Sequence, residues 1–65
     1  MAKTVFDVLD IKLAESQRSQ EEFVTSGGAK DHATYREACG VIRGLIIARQ
    51  EIRDLAKNYM EDNDD

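Results

Sequence analysis

The sequence predicts an all-α fold, an antiparallel two-helix hairpin that oligomerisation assembles into a helical bundle. Three observations carry this. Apolar residues recur at three-four spacing through two long stretches, the spacing that lines one side of a helix. A single Gly-Gly break separates the stretches. There is no proline, and no segment alternates apolar and polar residues as a half-buried strand would. The chain reads as one domain, residues 1–65, with a helix over 4–25, a turn over 26–30, a helix over 31–59 and an acidic tail over 60–65.

The first helix has a defined start. Thr4 suits the N-cap, and Asp7, three residues on, completes a capping-box pattern with Asp in place of Glu. The Asp7 carboxylate also suits the positive end of the helix dipole. Phe6, Leu9 and Leu13 then form a seam, which continues through Ser16 and Gln20 to Phe23 and so is polar in the middle. Val5, Val8 and Ile11 widen the apolar face near the start.

Ser26-Gly27-Gly28-Ala29-Lys30 supplies the left-handed conformation that ends a helix. So short a connection places two helices side by side and antiparallel. Asp31 is the expected N-cap of the second helix. Its seam, Ala38, Val41, Leu45, Ala48, Ile52, Leu55 and Tyr59, has no polar interruption. Tyr35, Cys39, Ile42 and Ile46 make a second stripe beside it. One neighbouring helix cannot cover both. Ile42, Ile46 and Ile47 point in different directions at about 100° per residue. With Leu55 and Tyr59, which overhang the shorter first helix, they are the predicted partner or oligomer surface.

Gly40, Gly44 and Ala48 fall four residues apart on one strip of this helix. Helices disfavour Gly by about 1 kcal/mol against Ala, so the strip points to a backbone passing close by. Counting back from the turn, facing residue numbers should add to about 57. That sets Leu13 near Gly44, Leu9 near Ala48, Phe6 near Ile52, and Phe23 near Tyr35 and Ala38. The predicted helix-packing residues are therefore Leu9, Leu13, Gly40, Gly44 and Ala48, with a contact between subunits as the other reading of the strip. Arg49 falls in the apolar sector. It either snorkels to solvent or pairs across the hairpin with Asp7 or Asp10.

Size and charge bound the function. A chain of 65 residues buries only about 60% of its unfolded surface and is marginal alone. The usual remedies are disulfides, a metal or association. The chain has one cysteine, Cys39, and one histidine, His32, too few for an internal disulfide or a structural zinc site. Self-association or docking on a larger protein is the expectation. The net charge of −4 argues against nucleic acid, whose phosphates need a basic face. The apolar run Leu45–Ala48 is far short of the roughly 20 residues that span a bilayer, and the first residues lack a signal peptide's apolar core. The expected setting is soluble, reducing and cytoplasmic. Cys39 reads as a small buried helix residue and His32 as a first-turn surface residue, too far apart for a thiol and its base. No cofactor, metal or catalytic residue is assigned, and an enzyme is not expected. The acidic tail reads as a solubilising end, or as a dock for a basic partner.

Two stretches carry a resemblance: Thr4-Val5-Phe6-Asp7-Val8-Leu9, and Ala29-Lys30-Asp31 with Tyr35-Arg36-Glu37-Ala38-Cys39-Gly40 and Ile42-Arg43-Gly44-Leu45. Together they resemble small helical-hairpin proteins of tailed bacteriophages, encoded near head and connector genes. The resemblance implies a phage structural or assembly accessory protein, virion-associated, acting through protein contacts with itself or with a larger phage or host protein. It transfers no catalytic residue. The alternative is a small acidic phage regulator that binds and inhibits a host protein.

Overall fold

A computed structural model describes residues 4–63, and of residues 60–63 the backbone alone. The fold is all-α. Helix α1 spans Val5–Thr25 and helix α2 spans His32–Asn63, packed side by side as a hairpin. The extents are 53 × 19 × 12 Å, so the molecule is one helix thick and both broad faces meet solvent.

The helix ends form where the sequence signals them. Thr4 Oγ1 accepts from the Asp7 N–H at 3.2 Å, while Asp7 Oδ2 accepts from the Thr4 N–H at 3.0 Å, a complete capping box. Two of the donors that a helix start leaves unpaired are thereby satisfied. The C-terminus of α1 closes as a Schellman motif. The Gly28 N–H donates to the Phe23 carbonyl at 2.9 Å and the Gly27 N–H to that of Val24 at 3.2 Å. Gly27 takes φ +82°, the left-handed region that only glycine enters freely. Gly28 is required for space: the ring of Phe23 lies over it. Asp31 Oδ1 accepts from the Thr34 N–H at 2.8 Å and caps α2.

Helix α2 continues to Asn63, past the expected end at Tyr59. No Gly or Pro interrupts the chain between Leu45 and Asn63, and carboxylates near a C-terminus weaken a helix without stopping it. Of the expected acidic tail, Asp64 and Asp65 lie outside the described residues.

The hairpin buries little. Ala38, 4% exposed, is the one fully buried hydrophobic residue among those described. Around it runs a half-buried seam, with Phe6, Leu13 and Val24 on α1 and Leu45, Ile52 and Ala56 on α2. The register departs from simple counting. Phe6 meets Tyr59, ring centroids 5.7 Å apart, about two turns beyond the expected Ile52. Side chains tilt toward the N-terminus of their own helix. In an antiparallel pair that carries α1 side chains away from the turn and brings α2 side chains back toward it. Contacts therefore join α1 residues to higher-numbered α2 residues. Tyr59 is thus held against α1 and does not overhang it, while staying 55% exposed.

Candidate protein-contact surface

Gly40 and Gly44 do not pack against α1. A Cβ built on either would find no atom within 4 Å. The reason is angular. Ala38 marks the direction of α1, and at about 100° per residue Gly40 and Gly44 lie roughly 200° and 240° round from it. The buried seam and the glycine strip are different sides of one helix. The expected contact of Leu13 with Gly44 is therefore absent, and hairpin packing does not explain these glycines. Of the other predicted packing residues, Leu13 and Ala48 are half-buried, and Leu9 stays 44% exposed.

One broad face is mainly apolar and uncharged. Val5, Leu9, Lys12, Ser16, Ser19 and Phe23 follow four-three spacing along α1, and all are exposed. Glu37, Val41, Gly44, Ala48, Glu51 and Leu55 follow the same spacing along α2, all exposed except half-buried Ala48. At the turn end the two strips share a shallow groove, where Ser19 and Phe23 face Glu37 and Val41 with Ala38 at its floor. Repeats of seven keep a strip facing one neighbour along several turns.

The opposite face carries a polar ladder. Asp10, Gln17 and Glu21 lie on the far side of Leu13, about 140° round α1 from the apolar strip. Arg49 Nε donates to Asp10 Oδ1 at 2.8 Å, and its Nη1 donates to Gln17 Oε1 at 2.9 Å. Gln17 Nε2 donates in turn to Glu21 Oε2 at 3.1 Å, and Arg53 Nη2 stands 3.6 Å from Asp10 Oδ2. The hydrogen bond from Arg49 holds the Asp10 carboxyl below its ordinary 3.8 against partial desolvation, helped by the charges of Arg49 and Arg53. Of the two readings of Arg49, the cross-hairpin pair is the one that forms, with Asp10 as partner. Gln17 was not expected in it, although it sits seven residues from Asp10 and so on the same side of α1.

Ile42 is half-buried beside the seam, whereas Ile46 and Ile47 are 50% and 55% exposed. Phe23 reaches Ala38 as expected, but Tyr35 is turned to the other edge. There it stacks on His32, centroids 6.5 Å apart, in a shallow hollow with Arg36, Cys39, Gly40 and Arg43. Cys39 is half-buried, less enclosed than expected, because this edge of α2 extends beyond the cover of α1. The neighbouring thiol holds the Tyr35 phenol above its ordinary value.

Among the described residues no helix is long and apolar enough to cross a membrane. In comparisons with known proteins, no family model, curated protein or solved structure matches the chain.

Proposed function

We propose that the chain is a non-enzymatic structural or assembly accessory protein of a tailed-phage particle, acting through helix-helix contacts with protein. The supporting observation is the exposure of its apolar side chains. Val5, Leu9, Val41 and Leu55, each more than 40% exposed, share one broad face of a hairpin whose one fully buried described hydrophobe is Ala38, while Ile46 and Ile47 are exposed on other sides of α2. Exposed apolar side chains grouped on one face of a small protein mark a contact site. The N-terminal and α2 stretches that resemble phage hairpin proteins support the setting.

The test is quantitative mass spectrometry of purified particles from cells that express the chain. The expected result is a fixed copy number per particle. Absence from particles, with recovery bound to a single host protein, would replace this reading with that of a small inhibitor.

A further inference from the structure

We propose that the apolar face is occupied by a second copy of the same chain, in a twofold dimer whose four helices form a bundle. The inference deepens the functional reading and rests on its premise that this face is a protein contact.

Shape comes first. The hairpin measures 53 × 19 × 12 Å and is one helix thick, so the two strips of this face lie open along their length.

Charge then selects the occupant. The α1 strip carries Lys12 as its one charge, and the α2 strip carries Glu37 and Glu51 as its two. A face with a cation on one helix and anions on the other is complementary to itself. With the twofold axis along the hairpin, α1 of each copy lies over α2 of the other at unchanged height. The contacts of Asp10 with Arg49 and Arg53 fix that height within one hairpin. They place Lys12 level with the turn of α2 that carries Glu51. Each Lys12 then meets the Glu51 of the second copy, and the dimer holds two such pairs at its rim.

Size matches as well. The middle of the α1 strip is Ser16 and Ser19, and the middle of the α2 strip is Gly44 and Ala48. Small residues on both sides allow close approach at the centre, while Val5, Leu9 and Phe23 face Val41 and Leu55 toward the ends. The open space above Gly44 becomes the place where the second backbone passes.

The experiment is light scattering with size exclusion, followed by dissociation constants for Lys12→Glu, Glu51→Lys and the double reversal in low salt. Circular dichroism checks that each variant remains helical. Both side chains are exposed, so the hairpin tolerates the changes. The wild type should run at twice the chain mass. Each single reversal should weaken association roughly tenfold, and the double reversal should restore it to within about threefold. A wild-type monomer, a trimer, or association only with an added different protein would overturn the proposal. So would single reversals without effect, or a double reversal as weak as the singles. A monomer in these runs leaves the particle measurement untouched, so failure of the dimer and failure of the phage assignment are separately visible.

Discussion

Adding one methyl group should stabilise the hairpin at Gly40 and damage it at Gly28. Gly40 lies inside α2, exposed, with no atom within 4 Å of where its Cβ would stand. Gly40→Ala therefore adds no clash and removes the backbone entropy that glycine loses in a helix, a gain of about 1 kcal/mol. For a domain this small that gain raises the melting temperature by about 4–8 °C. At Gly28 the same atom would stand 2.6 Å from Phe23 Cδ1 and 2.9 Å from the Phe23 carbonyl oxygen. The ring can swing, but the carbonyl is fixed by the Schellman hydrogen bond at 2.9 Å. Gly28→Ala should cost about 1–3 kcal/mol. Gly27→Ala should cost about 1–2 kcal/mol, because φ +82° is strained for any residue with a Cβ. Urea denaturation followed by circular dichroism measures all three, at one protein concentration because association adds to apparent stability. A destabilised Gly40→Ala would refute the reasoning. It would mean that a backbone passes over Gly40 and that the orientation of α2 about Ala38 is wrong.

Gly44→Leu should keep the helix content and lose the dimer, read by light scattering, since its side chain has room in one hairpin but none between two. Thr4→Ala should cost about 1 kcal/mol by removing the cap oxygen, measured as a lower urea midpoint; an unchanged midpoint would mean that the α1 start is frayed in solution. Acid should destabilise the protein in a defined direction. Asp10 and Asp31 are both held below 3.8, the first chiefly by the Arg49 hydrogen bond and the second by the Thr34 N–H. A carboxylate with a lowered folded pKa contributes stability above its unfolded value, and that contribution is lost as the pH falls through the folded one. Urea midpoints should drop below about pH 4, and Asp10→Asn should flatten the drop; an equal drop in the variant would show that the ladder carries none of it.

Local rules were legible because their causes are local. The capping box of Thr4 and Asp7, the left-handed Gly27 and the Asp31 cap depend on residues within a turn of one another, so spacing alone locates them. The seams were legible for the same reason, since three-four spacing is a property of one helix. The glycine strip was misplaced because a helix has several sides. Spacing shows that Gly40, Gly44 and Ala48 share one, but the position of Ala38 against α1 decides which side faces in. Register failed in the same way, since counting from the turn ignores the tilt of side chains along each axis. Gln17 is not legible from spacing, because it looks like one more solvated residue until Arg49 bridges it and Asp10 across two turns of α1.

The sequence by itself determined two helices, their caps, their break and their shortage of core, all of which follow from short-range sterics, hydrogen bonding and composition. Tertiary structure alone decided which faces remain open, because the rotation of one helix against another depends on the packing of both. That rotation set the Asp10–Arg49 ladder on one broad face. On the other it left two strips of matching spacing and opposite charge, with the glycine of the α2 strip facing out.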